Sequence, residues 1–174
     1  MKHFITSLLL SIIAVASMAQ VNKADYRVVP LPEMINGIKD GGFKLKSNCL
    51  IDYPIGNRDM ERNAAMLSGY IEELTGLHLS TRPVNSTNNY GCISLKLDPK
   101  MENDEGYRIT VTAKSVEIAG KTAAGVFYGI QTLRKSIPVG KTDEILLPAA
   151  QVASNPRFGY RGMHLDCSRH FFPV

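Results

Sequence analysis

The densest concentration of chemically capable side chains lies in residues 155–174, Asn-Pro-Arg-Phe-Gly-Tyr-Arg-Gly-Met-His-Leu-Asp-Cys-Ser-Arg-His-Phe-Phe-Pro-Val. Arg157, Arg161 and Arg169 bring guanidinium forks, Asp166 a carboxylate, and His164 and His170 imidazoles, all around a short apolar stretch. His164, Asp166 and His170 form the one close His/Asp group, but their spacing fits no standard ligand signature. Neither Cys-x-x-Cys nor His-Glu-x-x-His occurs, so no metal site and no cofactor are expected. Proton transfer by His170 would need a positioned partner and a substrate beside it. Asp143 and Glu144 are adjacent carboxylates, a pairing that could suit acid and base work. They fall in the loop before Ile145 and read as a solvated turn. A run as dense as 155–174 reads as the opening of a second domain, and the remainder of that domain is expected beyond Val174.

The preceding residues must position that run. Met60, Ala64, Leu67, Ile71 and Leu74 recur at helical spacing and put one apolar stripe on a first helix. Asn57 or Asp59 can cap its start, and Gly76 can end it with a left-handed residue. A second helix should start near Thr122 and end before Pro138, with Val126, Ile130, Leu133 and Ile137 on its apolar face. Gly125 and Gly129 lie four apart in it. Phosphate binding would need them in a loop after a strand, so the pair reads as close packing of helix on sheet. Strands are expected where apolar and polar residues alternate: Ile93 to Leu97, Tyr107 to Val111, and Val116 to Ile118. Ala113-Lys114 is a tight connection and makes the last two a hairpin. Tyr26 to Pro32 reads as an extended edge segment, because Pro30 and Pro32 cannot donate to a ladder. Asp40-Gly41-Gly42 reads as a turn before the run Phe43 to Lys46. Cys49 to Asp52 and Ile145 to Pro148 are short apolar runs. Arg82 to Gly91 reads as a polar loop, and Ala150 to Arg157 as a link. The order strands, helix, strands, helix, strand gives an α+β fold, with two helices on one face of a mostly antiparallel or mixed sheet.

Composition fits a soluble globular chain: 44% hydrophobic and 21% charged residues among 174. The formal charge of +4 is scattered rather than clustered with aromatics, so nucleic acid is not an expected partner. Residues 1–19 read as a signal peptide. Lys2 and His3 precede an apolar core from Phe4 to Ala16, and Ser17 and Ala19 stand where a signal peptidase reads, with cleavage before Gln20. The core is shorter than the ~20 apolar residues that span a bilayer. Export to the periplasm or the extracellular space is expected, with no membrane partner. Cleavage would remove one counted charge, Lys2, leaving +3 (4 − 1). Cys49, Cys92 and Cys167 could form one disulfide, but buried free thiols are the simpler expectation for three scattered cysteines. Asn85-Ser86-Thr87 fits a glycosylation tripeptide that matters only in a eukaryotic secretory pathway.

Two stretches carry a resemblance to a known family. One is Gly125-Val126-Phe127-Tyr128-Gly129-Ile130-Gln131-Thr132-Leu133, and the other is Pro156 through Phe172. With Glu105-Gly106-Tyr107 upstream, they resemble the family 20 glycoside hydrolases, the exo-acting β-N-acetylhexosaminidases, over the whole mature chain. Gly159 stands where that pattern often has proline, and Cys167 where it has a small or apolar residue.

The resemblance implies a non-catalytic amino-terminal domain over 20–150, similar in shape to a zinc protease but without metal. Residues 151–174 would then begin a (β/α)8 catalytic barrel, its first strand including Gly162, Met163, His164 and Leu165. The implied reaction is hydrolysis, with retention, of terminal β-linked N-acetylglucosamine or N-acetylgalactosamine. In that chemistry the substrate's acetamido oxygen attacks the anomeric carbon, while an Asp-Glu pair orients it and protonates the leaving group. No residue of this chain matches that pair, so no catalytic residue is assigned and the chain alone is expected to be inactive. Arg161 matches the arginine that binds the sugar's ring hydroxyls; a planar fork of fixed donors suits vicinal hydroxyls. The alternative is a structural arginine paired with an acid such as Asp166. Asp166, Arg169 and His170 are expected to hold the first strand and its loop in shape, with Phe171 and Phe172 packing and His164 buried.

A competing reading is a non-catalytic carbohydrate-binding or scaffolding module, although the lack of any Trp counts against a sugar-stacking platform. A peptidase of zinc-protease shape lacks its ligands.

Overall fold

The computed structural model describes residues 22–85 and 92–164. Residues 1–19, where a signal peptide is expected, Ser86 and Thr87, the side chain of Cys92, and Leu165 through Phe172 lie outside the described residues.

Helix α1 spans Arg58–Thr75. Asn57 caps it: its Oδ1 accepts from the Met60 amide at 3.1 Å, satisfying one of the donors a helix start leaves open. Gly76 ends it in the left-handed region at φ 77°, where its amide donates to Glu72 O. Met60, Ala64, Leu67 and Ile71 are fully buried, and Leu74 packs at the edge of the core. Helix α2 spans Ala123–Ser136 behind Thr122, with Val126, Ile130 and Leu133 buried. Each such Leu or Ile contributes about 1.5–3 kcal/mol by leaving water.

The strands are β1 (Met34–Leu45), β2 (Leu50–Pro54), β3 (Ser80–Val84), β4 (Cys92–Leu97), β5 (Tyr107–Val111), β6 (Val116–Gly120) and β7 (Ile145–Ser154). They form one mixed sheet ordered β1-β7-β5-β6-β4-β2-β3. β2 runs parallel to β3 and β4, and β4 parallel to β6. β5 is antiparallel to β6 and β7, and β1 to β7. Register aligns the apolar positions: Ile51 with Ile93, Leu95 with Ile118, Ile109 with both Ile118 and Val152. Every one of these is buried.

Both helices cover that face. Asn63 of α1 donates to Ala123 O of α2 at 2.8 Å, and the Arg134 guanidinium lies 4.2 Å from the Tyr70 ring centroid. The crossovers β2-α1-β3 and β6-α2-β7 step in opposite directions along the sheet between parallel strands. Sharing a face then requires opposite hands, so one of them breaks the usual right-handed rule. The other face is polar, with Asp52 gripped by Arg82 at 2.9 and 3.0 Å and Lys96 paired with Glu117.

Four local expectations are corrected. Tyr26 to Pro32 forms no strand; the Tyr26 hydroxyl donates to Pro148 O at 2.9 Å and anchors the segment by its side chain. Asp40-Gly41-Gly42 is not a turn between strands. β1 runs through it, and the register slips between Gly37 and Gly42 in a bulge. The loop from Arg82 contains most of β3, which pairs with β2 despite its charge and Pro83, as an edge strand can. β7 continues through Ala150 to Ser154, where a link was expected. Among residues 155–164 there is no strand, and Gly162, Met163 and His164 are exposed.

Candidate functional site

The site is built on a carboxylate whose backbone is clamped in place. The turn from Asn103 to Gly106 precedes β5. Asn103 closes it, with Oδ1 accepting from the Glu105 amide at 2.9 Å and its carbonyl accepting from the Gly106 amide at 3.2 Å. The turn is pinned to the start of α2: the Thr122 hydroxyl donates to Asp104 O at 2.6 Å, and Lys121 pairs with Asp104 at 2.7 Å. Gly125 permits this approach. A Cβ there would overlap Gly106 O and lie 3.3 Å from Asp104 O, both backbone atoms. Gly129, one turn on, lets α2 settle on β6; its Cβ would lie 2.7 Å from Ile118 Cγ2. The glycine pair therefore does what close packing requires, and it also seats Glu105.

Arg161 meets Glu105. Its Nη2 donates to Glu105 Oε2 at 2.7 Å, and its Nη1 donates to Phe158 O at 2.6 Å. The guanidinium carbon stands 5.8 Å from the Tyr128 ring centroid. The Tyr128 hydroxyl makes a longer bond, 3.4 Å, to Glu105 Oε1. The Glu105 carboxylate, and then Tyr128, push the Arg161 pKa further above its ordinary range, so the cation is permanent. Both partners keep more than a third of their side chain exposed. Chain direction brings Arg161 here. After β7, Asn155 donates from its amide and its Nδ2 to Glu33 Oε2 at 3.2 and 3.4 Å. Gly106 has no Cβ to block the Asn155 side chain, which packs directly on it.

Beside this ion pair opens a cleft of about 520 Å³. Val28 and Leu31, Tyr128 and Lys135 of α2, and Pro156 and Phe158 line it. Gln131 lines it too, and its buried Nε2 has no hydrogen-bond partner among the described residues. The Tyr107 hydroxyl, paired with Thr132 Oγ1 at 2.7 Å, is buried next to it. Burial raises the Tyr107 pKa, keeping the phenol neutral.

The other candidates fall elsewhere. His164 is exposed, not buried. Asp166, Arg169 and His170 lie outside the described residues; among the described residues, the acid that pairs with Arg161 is Glu105. Glu144 bonds Lys46 at 2.8 Å and Lys44 at 3.1 Å, clasping β7 to β1 far from Arg161 in the sheet. Cys49 is buried with a free thiol. No three His, Cys, Asp or Glu among the described residues converge as a metal site. Glu105 and Tyr128 stood inside the quoted motifs without a role. What the sequence hid was that residues 105, 128 and 161 meet in space.

The described parts of the three stretches that carry the resemblance thus meet at Glu105, Tyr128 and Arg161. The family model described as glycosyl hydrolase family 20, domain 2, matches residues 25–153. A beta-hexosaminidase of Porphyromonas gingivalis is 30% identical over 95% of this chain, which covers 22% of that relative. A beta-N-acetylhexosaminidase of Cellulomonas fimi is 34% identical over 55% of the chain and 20% of its own length. Among solved structures, the family 20 β-N-acetylhexosaminidase of Streptomyces coelicolor superposes with a TM-score of 0.71 at 27% identity, covering 84% of this chain and 30% of that one. A mutant Streptomyces plicatus beta-hexosaminidase in complex with GlcNAc gives 0.72 at 28%, with 84% and 29% covered. The chain spans about a fifth of the length of these curated relatives. By sequence and by fold, the chain belongs to glycosyl hydrolase family 20.

Proposed function

We propose that this chain is the amino-terminal part of an exported β-N-acetylhexosaminidase that removes terminal N-acetylglucosamine or N-acetylgalactosamine from glycans. The observation that carries the reading is Arg161, delivered beyond the last strand with its guanidinium oriented by Glu105 and Phe158 O. Two of its N–H groups are committed there, and the others remain available to sugar hydroxyls. The names of the curated relatives, and the GlcNAc bound in the Streptomyces plicatus structure, support the substrate class.

The mechanism in this reading is substrate-assisted and retaining. The acetamido oxygen of the bound sugar attacks its own anomeric carbon. An Asp-Glu pair outside this chain orients the acetamido group and protonates the leaving oxygen. Arg161 contributes grip: its fixed fork donates to two ring hydroxyl oxygens in one geometry and stays charged at every working pH. The sheet and helices contribute position, holding Glu105 where the arginine arrives.

The test compares this chain with a form extended by the coding sequence after Val174, on a chromogenic N-acetylglucosaminide. Turnover by the extended form and none by this chain is expected. An inert extended form contradicts the enzyme reading, and strong turnover by this chain contradicts the placement of the catalytic pair. The carbohydrate-module reading is less favoured, because the other sheet face carries the Asp52–Arg82 and Lys96–Glu117 ion pairs, and the chain has no Trp to stack on a sugar.

A further inference from the structure

We infer that Glu105 is a positioning residue for the sugar-binding arginine, so that the amino-terminal domain sets the affinity of the active site; this rests on the reading of Arg161 given above. Glu105 differs from an ordinary surface partner in how it is held. Its own backbone is locked by the Asn103 turn and by the glycine-mediated contact of that turn with α2. Its Oε1 receives the Tyr128 hydroxyl, and its Oε2 receives Arg161. The arginine is then held from three directions, by a carboxylate, a main-chain carbonyl and a ring face.

A free arginine side chain loses much rotamer freedom on gripping a ligand. One already fixed in a single geometry binds with that cost met during folding. The effect belongs to binding and is equal for bound sugar and transition state, so it acts on KM and leaves kcat in place. Specificity for this arginine is the distinguishing mark: removing the carboxylate must matter only while the guanidinium is there to be positioned.

The experiment uses the extended protein and four forms: wild type, Glu105→Gln, Arg161→Ala and the double variant, with Glu105→Asp as a charge-preserving control. Glu105→Gln is expected to raise KM for the chromogenic N-acetylglucosaminide about threefold to fivefold, the scale of one partly exposed ion pair, with kcat within about twofold. Glu105→Asp should fall between it and wild type. In the Arg161→Ala background, Glu105→Gln should change KM no further. An unchanged KM in Glu105→Gln, a lowered KM, or an equal effect in both backgrounds overturns the inference while leaving the enzyme reading intact. An inert wild type overturns both.

Discussion

Replacing Gly125 by alanine separates helix propensity from packing. In an exposed helix the change gains about 1 kcal/mol. At Gly69 on α1 nothing lies within 4 Å of the added Cβ, so Gly69→Ala should realise that gain. At Gly125 the methyl meets Gly106 O, Gly106 C and Asp104 O, backbone atoms of a turn that is itself hydrogen-bonded to α2. Over-packing costs about 1–3 kcal/mol even where side chains can adjust, and here no side chain can swing away. Taking the upper value against the propensity gain leaves a net loss of about 2 kcal/mol. For a chain of this size, 1 kcal/mol moves Tm by about 2–4 °C. Thermal unfolding of residues 20–174 should therefore show Gly69→Ala about 2–4 °C above wild type and Gly125→Ala about 4–8 °C below it. A Gly125→Ala variant as stable as Gly69→Ala would refute the claim that the turn bearing Glu105 is seated against α2.

Two smaller perturbations test the frame. Asn57→Ala removes the cap on the Met60 amide and should cost about 1 kcal/mol, read as a lower urea midpoint with unchanged slope. Lys46 and then Lys44 hold the Glu144 carboxyl below its ordinary value of 4.5. A depressed folded pKa adds stability above the unfolded value and loses it as pH falls through the folded one. The Tm gap between wild type and Glu144→Gln should thus be present at about pH 7 and close as pH drops below the unfolded value toward about pH 3. A gap that widens on acidification contradicts that sign.

Much of the frame is legible in the sequence because helices announce themselves locally. Asn57, Gly76, Thr122 and the apolar stripes are short-range signals, and each element they mark lies where they put it. Strand edges are less legible. Ser80–Val84 carries Arg82 and Pro83 and no alternation, because an edge strand beside a polar face needs none. Gly41-Gly42 reads as a turn from its composition, yet glycine also serves a bulge; Gly42 has φ 154° and backs onto Leu147 O. Only the partner strand β7, a hundred residues later in the chain, decides between them. The site divides in the same way. Arg161 and the glycine pair stand out as residue types in a motif. That Glu105 is the acid Arg161 meets depends on a turn, a helix and a tail converging, which no local pattern encodes.

The central claim is that Arg161 grips the sugar this family cleaves. Its most direct measurement is kcat/KM of the extended protein with Arg161→Ala against wild type on a chromogenic N-acetylglucosaminide. Loss of hydrogen bonds from a charged donor, about 1.5–3 kcal/mol, predicts a fall of roughly ten- to a hundredfold. A kcat/KM equal to wild type, in a variant that unfolds at the wild-type temperature, would contradict the account.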